Sequence, residues 1–202
     1  MQILLVHGLG RTPLSLFGLA AWLRRSGHHT RFFGYSPTFE QFPSIVQRLV
    51  RRLQNLARFK QPVGLIGHSL GGILLRLALA KVTELKVHRF IMLGTPNRSP
   101  RMARLAWKWR AFRLLAKSCG HFLATPSEYS QLGKITVPHT VFAGTSGPRG
   151  RLSPFDTEPN DGLVAVSETS IDSSTEVVQL PVWHSFMMDA VSVRQGILKL
   201  LK

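Results

Sequence analysis

A chain of 202 residues is long enough to bury a full hydrophobic core and short for a layered α/β enzyme, so it reads as one domain, 1–202, with little room for large insertions. Its single cysteine, Cys119, excludes an internal disulfide, offers no metal cluster and suits a reducing compartment. The 26 basic and 10 acidic residues give a net charge of +16, concentrated in residues 1–127, where 20 Lys and Arg meet only Glu40 and Glu84; this field favours a polyanion, an anionic lipid surface or a nucleic acid.

Residues 1–8, Met-Gln-Ile-Leu-Leu-Val-His-Gly, enter a buried-type strand at 3–6 without a basic n-region, a long apolar run or a small-residue cleavage site. No export signal and no transmembrane helix are expected, and the expected setting is cytoplasmic with peripheral membrane contact. His7-Gly8-Leu9-Gly10 then opens a loop, and Thr12-Pro13 supplies an N-cap and a proline at the first helical position, predicting a helix to about Ser26 that stops at Gly27. A second strand is expected over 30–35. From Pro43 a helix carries Ile45, Leu49, Leu53 and Leu56 at helical spacing, with Arg48, Arg51, Arg52, Arg58 and Lys60 mostly on a solvated face.

Residues 63–72, Val-Gly-Leu-Ile-Gly-His-Ser-Leu-Gly-Gly, read as strand, sharp turn and helix. A serine thrust out of so tight a turn needs a strained backbone, which is possible only where the residues two before and two after it, Gly67 and Gly71, carry almost no side chain. The turn lifts the Ser69 hydroxyl above the sheet edge and leaves the Leu70 amide at a helix N-terminus, where it can bind a developing oxyanion. Helix is expected over 73–81 and strands over 90–94, 139–144 and 176–180. A last helix with a basic end is expected over 185–201.

The segment 97–125 holds Arg98, Arg101, Arg104, Lys108, Arg110, Arg113 and Lys117 and no acid. At 100° per residue Met102, Leu105, Trp109, Phe112 and Ala116 share one stripe with basic flanks, while Trp107 and Leu114 point the other way. Snorkelling cations and boundary tryptophans around an apolar stripe describe a helix lying in a lipid headgroup region, so 97–134 is expected to be a lid-like insertion whose Trp107, Trp109 and Phe112 meet substrate or membrane.

Alternating strands and helices predict an α/β fold in three layers, a mostly parallel sheet of about six strands covered on both faces, with ligands at the carboxyl ends of the strands. A nucleophilic serine there needs a base and an acid that follow it in the order acid, histidine. His88 and His139 stand at strand entrances and His121 in the insertion, whereas His184 falls just after the last strand. Among Asp156, Glu158 and Asp161, the turn Asn160-Asp161-Gly162 fixes its carboxylate best, with Asp156 second. Leu9, in the glycine-rich loop after the first strand, is the expected second oxyanion donor, with His7 bracing that loop.

His-Gly-Leu-Gly after the first strand, Gly-His-Ser-Leu-Gly-Gly, Leu-Gly-Thr-Pro-Asn at 93–97 and Asn-Asp-Gly-Leu-Val followed 23 residues later by His184 resemble the bacterial lipases of the α/β-hydrolase fold, the small near-minimal ones in length. The resemblance covers 2–96 and 135–200. It implies a serine hydrolase with Ser69, Asp161 and His184 as catalytic triad and Leu9 and Leu70 as oxyanion donors. The chain departs from the smallest of these lipases in its insertion, and from the secreted ones in that no export signal is expected.

The reading is a serine esterase acting on esters of apolar acyl chains or on polar membrane lipids, through an acyl-enzyme and without cofactor or metal. An acyltransferase using the same triad is one alternative; a non-catalytic basic module binding lipid or nucleic acid on a hydrolase fold is the other. The expected partners are an acyl-ester substrate and an anionic membrane surface, not nucleic acid. Oligomeric state is not legible, a monomer being the expectation.

Overall fold

The computed structural model describes residues 1–172 and 175–202. Six strands, β1 (Gln2–Val6), β2 (His29–Phe33), β3 (Val63–His68), β4 (Val87–Leu93), β5 (His139–Gly144) and β6 (Val177–Leu180), form one sheet in the order β2-β1-β3-β4-β5-β6. All five neighbouring pairs are parallel. Parallel neighbours require crossovers, and the intervening helices cover both faces.

Side-chain alternation explains the two cores. Leu4 and Val6 of β1, Leu65 of β3 and Phe90 and Met92 of β4 point to one face, where they pack with α2 (Phe42–Ala57) and α3 (Leu70–Leu79). Ile3 and Leu5, Ile66, and Ile91 and Leu93 point to the other, against α1 (Phe17–Arg25) and α7 (Val191–Leu201). The predicted stripe of α2 is the buried one: Ile45, Leu49, Leu53 and Leu56 all lie in the core. Arg51, Arg58 and Lys60 are exposed, and Arg48 pairs with Glu40 at 2.8 Å while lying over the Phe33 ring. The helix before Gly27 begins as a 3-10 turn, Pro13–Leu16, and ends where Gly27 takes φ +85°.

Three expectations change. β2 ends at Phe33, because Tyr35 leaves the sheet to stack on His7 with ring centroids 4.3 Å apart. The last helix is interrupted: His184–Asp189 is a 3-10 turn that drops Met187 and Met188 into the core, Ala190 is extended, and α7 follows.

The insertion is likewise not one continuous stripe. α4 (Arg101–Ala106) ends at Trp107, Trp109 is extended, and α5 (Arg110–Ala124) is kinked at Lys117, where φ is +41°. The kink lets Cys119, Phe122 and Leu123 turn into the core, with Phe122 stacked on Phe42 at 4.4 Å. Thr38 Oγ1 donates to the Leu115 carbonyl and Ser118 Oγ accepts from the Phe42 amide, both at 2.8 Å, so α5 is fastened to the start of α2 and to the chain just before it. Arg101 pairs with Glu158 and with Glu168 and fixes the start of α4 to the segment after β5. A short α6 (Val166–Thr169) carries Glu168. Among the described residues no helix is long and apolar enough to cross a membrane.

Candidate active site

β3 ends at His68 and α3 begins at Leu70, so Ser69 has to turn the chain alone, and it does so at φ +53°, ψ −124°. A non-glycine residue held there costs on the order of 1–3 kcal/mol, which the surroundings supply. Its amide donates to the Leu93 carbonyl of β4 at 2.8 Å, and its own carbonyl accepts from Gly72 at 3.0 Å. The glycine expected at position 71 is required by close approach rather than by φ: a Cβ there would stand 2.6 Å from the His7 carbonyl oxygen and closer still to that of Val6.

The order acid then histidine resolves into a direct contact. Asp161 is buried to 1% exposure in the Asn160-Asp161-Gly162 turn, and its Oδ2 accepts from His184 Nδ1 at 2.6 Å. Its Oδ1 accepts from the amides of Leu163 and Val164, at 3.0 and 2.7 Å, so both carboxylate oxygens are held. The main-chain carbonyl of Asp161 also accepts from the His184 amide at 2.9 Å. With Nδ1–H donated to the carboxylate, His184 Nε2 is left as a proton acceptor.

Ser69 and His184 line one cavity of about 520 Å³, whose apolar wall includes Met102, Ala103, Phe112, Ala116 and Leu123 of the insertion. No hydrogen bond joins the two among the described residues, a contact that in ligand-free sites commonly tightens only with substrate. Leu9 also lines the cavity, and its loop lies on the elbow: a Cβ on Gly8 would be 2.9 Å from Ser69 Cβ. Leu70 is the first residue of α3, in the turn whose amides lack helical acceptors.

The remaining candidates lie elsewhere. Asp156 is exposed in a turn at φ +52°, where its carbonyl accepts from Gly150, and Glu158 is taken by Arg101. His88 is in β4, His139 donates Nδ1–H to the Val137 carbonyl, and His121 is exposed beside Trp107. Of the three aromatic residues expected in a lid, only Phe112 reaches the cavity. Trp107 packs edge-on to Phe112 and His121, and Trp109, at the break between α4 and α5, is 72% exposed. His7 braces its loop as expected from its position: its ring stacks with that of Tyr35, Nε2 accepts from the Tyr35 amide at 3.3 Å, and Nδ1–H donates to the Gly8 carbonyl at 2.9 Å.

One functional neighbour has no counterpart in the sequence reading. His68, inside the elbow, is buried, donates Nε2–H to the His184 carbonyl at 3.0 Å and sets its ring 4.8 Å from that of His184. Burial, followed by the nearby His184, pushes its pKa well below 6.5, so the ring is neutral and acts as a fixed donor. Its place between Gly67 and Ser69 on a fully buried strand was the available signal. Among the described residues no group of three or more His, Cys, Asp and Glu side chains is arranged to hold a metal ion.

The sequence model of the alpha/beta hydrolase family matches residues 3–188. The mature lipase BlEst2 of Bacillus licheniformis superposes with a TM-score of 0.77 at 20% identity, covering 99% of this chain and 91% of that one. Phospholipase PlaB of Legionella pneumophila gives 0.80 at 16% identity over 100% of this chain and 60% of its own, so the chain spans about three-fifths of that protein. The RedJ thioesterase of Streptomyces coelicolor gives 0.61 at 12% identity over 98% and 84%. At these identities the likeness is one of fold. No curated protein matches the sequence.

Proposed function

Because this chain belongs to the alpha/beta hydrolase family, we propose that it is a serine hydrolase of the lipase and esterase type, cleaving carboxylic esters with an apolar acyl chain. The observation that carries this reading is the opening of the Ser69 turn and the Asp161–His184 pair onto one largely apolar cavity. His184 Nε2 takes the Ser69 proton as Oγ attacks the ester carbon. The tetrahedral oxyanion is met by the Leu9 and Leu70 amides, and such a donor supplies roughly 2.7–4 kcal/mol to the transition state. Collapse passes the proton from His184 to the leaving alcohol. Water, deprotonated by the same imidazole, then releases the acid from the acyl-Ser69 ester, and Asp161 stabilises the imidazolium in each half-reaction.

The exposed cations Lys108, Arg110, Arg113 and Lys117 lie on either side of exposed Trp109 and support contact with an anionic membrane surface, where polar lipids would present their esters. Hydrolysis of p-nitrophenyl esters of graded chain length tests the reading. Activity is expected to rise with acyl length and to fall by about 10⁴-fold or more in Ser69→Ala. Transfer of the acyl group to an added alcohol in preference to water would make the protein an acyltransferase on the same residues. Full activity in a folded Ser69→Ala protein would exclude both.

A further inference from the structure

Against the apolar wall of the cavity stands one permanently charged side chain, Arg11. It follows the oxyanion loop directly: its amide closes a turn onto the Gly8 carbonyl at 3.3 Å, and its guanidinium donates to the carbonyl of Ser185, the residue after His184, at 3.2 Å. That is one of five N–H groups a guanidinium carries, and no carboxylate pairs with Arg11 among the described residues. Arg101, which has two carboxylate partners, shows the contrast. A half-buried cation without a counter-ion is costly, and the cost is relieved when an anion enters the cavity beside it.

We propose that Arg11 binds a phosphoryl group on the alcohol portion of the substrate, so that the enzyme acts on acyl esters of phosphate-bearing alcohols, such as lysophospholipids, in preference to neutral glycerides. The assignment rests on the serine-hydrolase reading of the same cavity. The planar fork of a guanidinium presents paired donors at the spacing of phosphate oxygens, which an ammonium does not. Leu9 and Arg11 are two residues apart, so their Cα atoms lie within about 7 Å. That span suits an ester whose oxyanion meets the Leu9 amide while a phosphate a few bonds further along the alcohol meets the guanidinium. The acyl chain then has the apolar wall of Met102, Phe112 and Leu123 to enter.

The test uses two esters that differ only in the phosphate: 1-decanoyl lysophosphatidic acid and 1-decanoylglycerol. Charge-assisted hydrogen bonds of this kind correspond to about 10- to 100-fold in affinity. Arg11→Gln is therefore expected to lower kcat/KM on the phosphorylated ester by that factor more than on the neutral one, mainly through KM, with Arg11→Lys in between. Equal losses on the two esters would mean that Arg11 only tethers Ser185, and would overturn the assignment. A hydrolysis-independent arm measures decyl phosphate and decanol binding to Ser69→Ala protein with and without Arg11→Gln. Phosphate-dependent tightening that needs Arg11 supports Arg11 as the phosphoryl site even if neither ester is cleaved, in which case the hydrolase reading and the ester substrate fail while the site stands. Indifference of binding to the phosphate, or displacement of decyl phosphate by inorganic phosphate at similar concentration, would overturn it.

Discussion

Asp161 grips His184 twice, through Oδ2 to the imidazole Nδ1 at 2.6 Å and through its main-chain carbonyl to the His184 amide at 2.9 Å. The second bond sets where the histidine's backbone lies and the first sets which way its ring faces. The two Oδ1 contacts to Leu163 and Val164 prevent the carboxylate from rotating away.

Asp161→Asn is therefore expected to keep the fold but to lower kcat by roughly 10³- to 10⁴-fold, because an amide NH₂ cannot accept from Nδ1 or stabilise an imidazolium. Asp156→Asn, on an exposed turn, is expected to leave the rate near that of the wild type. Steady-state kinetics on one soluble ester compares the two. A greater loss in the Asp156 variant would contradict the pairing.

These residues were legible because local chemistry placed them: Gly-x-Ser-x-Gly demands an elbow, and Asn-Asp-Gly demands a turn just ahead of an apolar run. What was not legible depends on tertiary contacts. Helical periodicity over 97–125 ignores the breaks at Trp107 to Trp109 and at Lys117, since neither carries a glycine or proline, and the second lies between Leu115 and Ser118, through which α5 bonds to Thr38 and Phe42. The same holds for Arg101 and Arg104, expected among the membrane-facing cations: Arg101 is held by Glu158 and Glu168, and Arg104 by the Ser99 carbonyl. The role of His68 is not legible because its partner, the His184 carbonyl, lies 116 residues away.

His68 has a consequence for stability against pH. Its folded pKa is held well below 6.5, mainly by burial, and burial also lowers that of His7. The unfolded chain binds a proton at each site near pH 6.5 while the folded protein does not. This contribution is thus complete above about pH 6.5 and is lost as pH falls toward the folded values, by at most about 1.4 kcal/mol per pH unit per site. Thermal unfolding from about pH 7 to about pH 5 is expected to show a falling Tm, with a shallower fall in His68→Gln, whose amide can still donate to the His184 carbonyl. An identical slope in the variant would contradict a neutral buried His68.

The contact between the elbow and β1 predicts a sharp contrast between two glycines. Gly71→Ala places its methyl 2.6 Å from the His7 carbonyl oxygen and is expected to destabilise the protein by roughly 1–3 kcal/mol or more. Gly133→Ala enters open space at an ordinary φ and is expected to stay within about 0.5 kcal/mol of wild type. Denaturant titration of both variants checks the difference.

For the membrane surface, the cations to neutralise are Lys108, Arg110, Arg113 and Lys117, which are exposed and outside every ion pair among the described residues. Each contributes roughly 1 kcal/mol of attraction to an anionic bilayer at low screening. Vesicle sedimentation over a salt series should show binding that weakens as the Debye length shortens, with a salt-resistant remainder that Trp109→Ala removes. Changing all four to Gln should abolish the salt-sensitive part while sparing hydrolysis of a soluble short-chain ester. Equal binding to neutral and anionic vesicles would assign the charge to another partner.

A Ser69 that becomes covalently acylated should also be captured by an organophosphate, which stops at the first half-reaction. Incubation with diethyl p-nitrophenyl phosphate followed by peptide mass analysis is expected to give one diethylphosphoryl adduct, on the peptide containing Ser69. It should be absent from Ser69→Ala and form much more slowly in Asp161→Asn. A folded wild-type protein that remains unlabelled while hydrolysing esters, or one labelled at another serine with loss of activity, would contradict the account.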